Sequence, residues 1–339
     1  MTIKDIAKTC GVSVTTVSRV LNNRPDVRED VRRRVMGVVR DSGYIPNNSA
    51  RDLVRSRSDA IGVVVRGMGN LFFADMLKTV AREIESSGFT MVLHFIASDA
   101  DEVKAGAILE REKKLRGIIF LGGRFDYTPQ ELALVGVPYV CCSYTNRFGS
   151  LREEDYSSVS IDDYMTAYMA VEHLIALGHR RIAAIVPSCT DRSISEIRYK
   201  GYRAALEEHD IPFDERLLVE TDGCFEMQDG YEGARRLIAS GADFSALFML
   251  SDTQAMAAMK ALEDGGKKVP EDVSVIAIDG LKVSEYTSPT LTTLVQPAEE
   301  MGRESVRILL EMLQDGGAPR HLRVKAHLRQ GASVRRLDA

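Results

Sequence analysis

The sequence predicts two fold classes in one chain: an all-α unit over residues 1–46, then an α/β body made of two doubly wound parallel-sheet halves. Three observations carry this. Short segments with helix-capping residues and apolar positions three and four apart fill residues 2–42. A stretch rich in Asn, Ser and Arg follows Pro46, and from residue 60 onward short apolar runs alternate with amphipathic helical stretches. At 339 residues, 45% hydrophobic and 27% charged, the chain has material for about two domains with real cores, which excludes a peptide hormone or a disordered tail.

The first element is announced by "TIKD" at residues 2–5, a capping box in form: Thr2 covers the free amides of a helix over 3–10 while Asp5 reaches back. Gly11 supplies the left-handed residue that ends it, and Ser13 caps a second helix with Val12 and Val17 at staple positions. In that second helix Val17, Val20 and Leu21 share one stripe. Thr15, Ser18, Arg19 and Asn22 fall opposite, and Val14 flanks the first turn. A third helix over 28–42, closed by Gly43, turns Val31, Val35 and Val38 onto the stripe. Such a helix-turn-helix unit leaves one narrow helix exposed, a shape that enters a DNA major groove about 12 Å wide.

Charge agrees with this despite a formal net of −5. Residues 1–60 hold two Lys and ten Arg against six Asp and one Glu, a balance of +5, and the remainder, 32 basic against 42 acidic, stands at −10. A basic head on an acidic body suits a nucleic-acid-binding module joined to something else.

"TIKDIAKTCGVSVTTVSRVLNNRPDV", followed by "GYIPN" and "ARDL", resembles the DNA-binding head of the lactose- and galactose-repressor family of bacterial transcription factors, and the likeness runs over nearly the whole chain. The resemblance implies that Val14 and Thr15 read bases, that Arg19 contacts base or backbone, and that Ser13, Thr16, Ser18 and Asn22 hold phosphate. The chemistry suits those roles: Arg forks onto guanine O6 and N7, Val meets a thymine methyl, and hydroxyls bond phosphate oxygens. Double-stranded operator DNA, bound by a homodimer at a pseudo-palindrome, is the implied partner.

Residues 47–59 read as a linker in which 47–55 suffice for about two helical turns, with Ala50, Leu53 and Val54 on one side; a helix that short is marginal alone in water. The resemblance supplies a partner: paired hinge helices in the minor groove, with Leu53 wedging a base step and Asn47, Ala50 and Arg51 at the DNA. Asp52 departs from the family's usual Ser and brings a negative charge near phosphate.

The body, residues 60–339, opens with "AIGVVV" (60–65), "FTMVLHFI" (89–96), "GIIFL" (117–121) and "PYVCC" (138–142) as strands, and "RRIAAIV" (180–186), "LLVET" (217–221), "SALFML" (245–250) and "VSVIAI" (273–278) repeat the scheme. Continuous apolar strands alternating with helices indicate parallel sheets covered on both faces, and two such sets indicate two halves around a cleft. The resemblance makes this body like a periplasmic sugar-binding protein, with "LTTLVQPAEEMG" recrossing between halves and the last strand returning to the second. The expected division is 60–158 plus 297–318 for the first half and 159–290 plus 319–339 for the second.

By the same resemblance an aromatic residue at Phe72 or Phe73 and the ring of Phe225 stack on a small-molecule effector, and Arg198 and Asp279 grip its hydroxyls. A guanidinium donates in a fork and a carboxylate accepts two bonds, which suits vicinal hydroxyls and makes a carbohydrate the expected effector. Where the family commonly has "PDxSNPFF", this chain reads "RGMGNLFF" from Arg66. Arg66, Arg192 and Arg198 together raise the question of an anionic ligand.

Enzymatic readings are weaker. "RGMGN" lacks the G-x-G-x-x-G spacing, "GHRR" (178–181) suits a helix end, "EED" (153–155) suits a solvated loop, and no nucleophile, base and orienting group assemble from spacing. No enzyme activity and no cofactor are expected. A solute-binding protein feeding a transporter is the alternative; it fits the body but not the head. Cysteines 10, 141, 142, 189 and 224 show no metal spacing and are expected as buried, reduced thiols. The N-terminus carries no apolar targeting segment, no stretch approaches the roughly 18 apolar residues of a membrane span, and the expected location is the cytoplasm. The C-terminal "RQGASVRRLDA" adds no leucine heptads, so no coiled-coil tetramer is expected.

Overall fold

A computed structural model describes residues 1–21, 24–42, 58–67, 69–124, 126–190, 192–221 and 225–337. Asn22, Asn47, Ala50, Arg51 and Leu53, with the rest of the expected hinge up to residue 57, lie outside the described residues, as do Gly43 and Cys224. The chain divides into two units, Met1–Ser58 and Asp59–Ala339.

In the first unit, α1 (Ile3–Cys10) starts with the expected capping box. Thr2 Oγ1 accepts from the Asp5 amide at 3.3 Å and Asp5 Oδ2 accepts from the Thr2 amide at 2.7 Å. Gly11, at φ 62°, ends it in the left-handed conformation. α2 (Val14–Leu21) is capped by Ser13, whose Oγ accepts from the Thr16 amide at 3.1 Å, and α3 (Glu29–Ser42) follows. Ile6, Ala7, Cys10, Val17, Val20, Val31 and Val35 form its core, with Val12, Leu21 and Val38 packed at the edge. The helical spacing thus places one apolar face of each helix against the other two.

Among the described residues the second unit holds two six-stranded sheets. The first contains β1 (Ala60–Arg66), β2 (Thr90–Ile96), β3 (Gly117–Leu121), β4 (Tyr139–Cys142), β5 (Ser157–Ser160) and β11 (His321–Arg323), in the order β11-β5-β4-β3-β1-β2, all parallel. The second contains β6 (Ile182–Val186), β7 (Leu218–Glu220), β8 (Ala246–Met249), β9 (Ser274–Asp279), β10 (Thr292–Val295) and β12 (His327–Arg329), in the order β12-β10-β9-β8-β6-β7, parallel except for β12. Helices α4 (Phe72–Ser86), α5 (Glu102–Lys113), the short α6 (Pro129–Leu132) and α11 (Ala298–Asp315) serve the first half, and α7 (Asp163–Ala176), α8 (Ile194–Glu208), α9 (Met227–Ala239) and α10 (Asp252–Asp264) the second. Val63, Val65, Met76, Ile119, Met301 and Leu309 share one core between the first sheet and α4 and α11. β1 and β3 are buried along nearly their whole length, as a parallel sheet covered on both faces requires.

The division of the chain differs from expectation at its end. Residues 319–339 do not belong to the second half as a block, because β11 joins the first sheet: His321, Leu322 and Arg323 register with Ser158, Val159 and Ser160. Only β12 returns to the second sheet, antiparallel to β10. β5 itself escaped the sequence reading because "SSVS" is no apolar run. Its four residues are nonetheless buried, and their hydroxyls find partners: Ser157 Oγ accepts from the Arg320 amide at 3.1 Å, and Ser158 Oγ bonds His321 Nδ1 at 2.8 Å.

Candidate functional site

On the head, the side chains picked from the sequence gather on one face of α2. Thr15 and Arg19 are exposed, Val14 stays 41% exposed although apolar, and Thr16 and Ser18 are half-buried beside them. Ser13 and Thr16 bond each other through their hydroxyls at 2.8 Å, at the positive end of the helix. Arg19 Nη1 lies 3.3 Å from Asp26 Oδ2, an exposed pair that exchanges readily for another anion. The unit therefore offers a short helix with donors, a free methyl surface and a reachable guanidinium, set on a core that fixes it.

In the body, a cleft of about 260 Å³ opens where strand ends of both halves meet. Arg66, Gly122 and Ser143 stand at or just past the carboxyl ends of β1, β3 and β4; Pro187, Asp279 and Gln296 do so for β6, β9 and β10. Open parallel sheets bind their ligands at such ends. Phe72 and Phe73 enter from the start of α4, 3% and 6% exposed, with ring centroids 5.5 Å apart. They are core residues whose ring edges line the cavity, so both duties fall on the same side chains. Phe225 closes the opposite side, half-buried against the second core.

Strain concentrates here. Ser143, Phe225 and Asp279 line the cleft at φ 56°, 59° and 135°, and Arg192 beside it sits at 56°, conformations that side-chain-bearing residues rarely adopt. Gly280 at φ 77° completes the turn after β9, where a Cβ would fall 2.7 Å from Val295 Cα.

The acid–base pair expected of Arg198 and Asp279 is rearranged. Arg198 is 3% exposed and donates Nε and Nη2 to Asp163 Oδ1 at 3.1 and 3.0 Å and Nη1 to the Leu250 carbonyl at 2.5 Å; Asp279 Oδ1 stands 3.9 Å away. Its principal ion partner is thus Asp163. Asp279 Oδ1 accepts instead from Gln296 Nε2 at 2.7 Å, which leaves Asp279 Oδ2 and Gln296 Oε1 buried with no protein partner. Burial drives the Asp279 carboxyl well above the usual carboxylate range, against the attraction of Arg198 and with help from the nearby Asp252 carboxylate. Asp252 is likewise raised by burial, although Thr293, Ser284 and the Leu281 amide all donate to it.

Arg192 is not brought to the cleft lining. Its guanidinium crosses to the first half, donating to the Phe148 carbonyl with Nε 4.0 Å from Asp126 Oδ2, while Lys200 Nζ sits 4.9 Å from the Phe148 ring centroid. It ties the two halves together at the rim. Conversely, Gln296, Ser143, Ser193 and Ser195 line the cleft and were missed. The signal for Gln296 was its place directly after an apolar "TTLV" segment, which becomes meaningful only once that segment is seen as a strand beside β9. Among the described residues no cluster of His, Cys, Asp or Glu suits a metal ion, and no helix is long and apolar enough to cross a membrane. Cys10, Cys141 and Cys142 are buried free thiols, and Cys189 is half-buried rather than buried.

A two-lobed body with a ligand cleft at its strand ends, joined to a helix-turn-helix head, defines a ligand-responsive DNA-binding regulator. Comparison with known proteins agrees. Residues 2–47 match the family described as bacterial regulatory proteins, lacI family, and residues 171–334 match the periplasmic binding protein-like domain. The HTH-type transcriptional regulator MalR of Clostridium butyricum is 37% identical over 95% of this chain and 96% of its own. A solved transcriptional regulator CelR-cellobiose complex superposes with a TM-score of 0.71 at 31% identity, covering 98% of this chain and 99% of that one. The lac repressor dimer bound to operator shares the fold, with a TM-score of 0.79 at 23% identity over 99% of each chain. This chain belongs to the lacI family of bacterial regulatory proteins and is a DNA-binding transcription regulator.

Proposed function

We propose that the protein is a cytoplasmic repressor without enzymatic activity that holds a pseudo-palindromic operator as a homodimer and responds to a small polyhydroxyl effector, a sugar or sugar derivative, in the body's cleft. The observation that carries the effector class is a pair of buried polar oxygens without a protein partner, Asp279 Oδ2 and Gln296 Oε1, on residues that line the same cavity as Phe72, Phe73 and Phe225. Hydroxyls both donate and accept, so a polyhydroxyl ligand can complete a buried carboxyl and amide that the protein leaves unpaired, and the rings cover the apolar face of a sugar. Asp279 exchanges hydrogen bonds with hydroxyls, Gln296 extends that edge, and Phe72, Phe73 and Phe225 enclose the ring. Arg198 braces the site through Asp163. At the head, Ser13, Thr16 and Ser18 hold phosphate while Val14, Thr15 and Arg19 read bases. Two related regulators whose structures are described with cellobiose and with ribose support a carbohydrate.

The test is a thermal-shift screen of sugars on the full chain, followed by operator titrations with any sugar that binds. A true effector at about 100 times its Kd stabilises by about 2.7 kcal/mol and changes operator affinity. A screen in which nucleobases shift the melting temperature and no sugar does would overturn the carbohydrate reading.

A further inference from the structure

The three arginines near the cleft differ in what they have left to offer. Arg198 is committed to Asp163 and the Leu250 carbonyl, and Arg192 to the Phe148 carbonyl at the rim. Arg66 is different. It ends β1 half-buried in the cleft wall, its Nε donates to the Ser98 carbonyl at 2.7 Å, and among the described residues no carboxylate comes within 4 Å of its guanidinium. That bond uses Nε, and among the described residues the two Nη groups of this cavity-lining side chain make no hydrogen bond or ion pair.

The surroundings of Arg66 hold one buried acid and one helix start. The acid Arg66 influences most directly, Glu102, is itself 2% exposed; burial raises its pKa despite the attraction of Arg66, and its Oε2 has no hydrogen-bond partner. α4 begins six residues after Arg66, and Asn70, which also lines the cavity, accepts from the first helical amide, that of Phe72, at 3.0 Å. The acidic member of the lining, Asp279, stands on the opposite half and is raised toward its neutral form.

We infer that the effector carries an anionic group, a carboxylate or a phosphate, which Arg66 clamps on the first half while its hydroxyls meet Asp279 and Gln296 on the second. This rests on the reading of the cleft as a carbohydrate site and narrows it to sugar acids or sugar phosphates. A cavity of about 260 Å³ lies below the ~300–1,000 Å³ of drug-sized pockets, so the occupant is closer to one substituted sugar than to a long oligosaccharide.

Calorimetric titration of the full chain at fixed salt with matched sets decides the matter: glucose, glucuronate and glucose 6-phosphate; galactose, galacturonate and galactose 6-phosphate; ribose and ribose 5-phosphate. In at least one set the acid should bind about ten- to a hundredfold more tightly than its neutral parent, the range of one charge-assisted hydrogen-bond pair. Whether the carboxylates or the phosphates show the preference identifies the anion. The acid-to-neutral ratio should collapse toward one in Arg66→Gln and be partly retained in Arg66→Lys, with operator binding in the absence of sugar reporting that both variants fold. Neutral sugars binding as tightly as their acids, or an equal loss for both in Arg66→Gln, would overturn the anion proposal and leave the carbohydrate reading intact. Binding of no sugar of either kind would sink both.

Discussion

Arg19 and Asp279 show how much one side chain's setting decides. Arg19 can leave its exposed pair with Asp26 at little cost and fork onto a guanine, so Arg19→Ala should weaken operator binding by about 1–3 kcal/mol and relax preference at one base pair per half-site. Gel-shift titrations on operators carrying each base at that position would show it, and unchanged selectivity would remove Arg19 from base reading. Asp279 gives a pH signature. Its folded pKa is raised, so above the ordinary carboxylate range the unfolded chain releases a proton that the folded chain keeps; stability is therefore lost as pH rises from there toward the folded pKa. Asp279→Asn removes this pH dependence. Its melting temperature should gain on the parent's as pH goes from about 5 to 8, by the equivalent of at most about 1.4 kcal/mol for each pH step of one. A constant difference across that range would contradict the buried, proton-holding carboxyl. Arg198→Ala is the poorer probe, since it strands buried Asp163 without its cation and costs about 3–5 kcal/mol of fold stability.

At the scale of elements, the expected hinge over 47–55 is the sensitive piece. If residues 47–55 act as the hinge helix that the family resemblance implies, a helix that short gains its order from DNA and a partner hinge, and a Leu that props open a base step supports the bend. Leu53→Ala should lose much of the specific affinity while salt-driven nonspecific binding and effector binding persist. Asp52→Ser should raise operator affinity by removing a charge near phosphate. Parallel titrations of operator and random DNA at one salt concentration check both, and full specificity in Leu53→Ala would reduce the segment to a tether.

Across the whole molecule, the two units hold separate cores, one around Ile6, Val17 and Val35 in the head and the continuous cores of both halves in the body. A fragment spanning residues 59–339 should therefore fold alone, bind effector with the affinity of the full chain and have no operator affinity. In the full chain the effect of effector on operator affinity, about 1–3 kcal/mol, should equal the effect of operator on effector affinity. Calorimetry of the fragment, and of the full chain with and without operator, measures both. A fragment that aggregates or binds sugar poorly would mean that the head completes the body.

What the sequence determined by itself is whatever arises between neighbours along the chain. The Thr2–Asp5 capping box, the Gly11 stop, the stripe of Val17 and Val20 and the apolar runs of β1 and β3 are all local signals, and the exposed face of α2 follows from them because a helix with one buried stripe has only one side left. Tertiary structure decided what depends on partners far apart in sequence. "SSVS" became a buried strand because β11, more than 150 residues later, pairs with it and satisfies its hydroxyls. Arg198 turned to Asp163, Arg192 left the cleft for Phe148, and Gln296 entered it, each through a contact that no periodicity encodes. A buried polar group goes where its hydrogen bonds can be completed, and that place exists only after both sheets have packed.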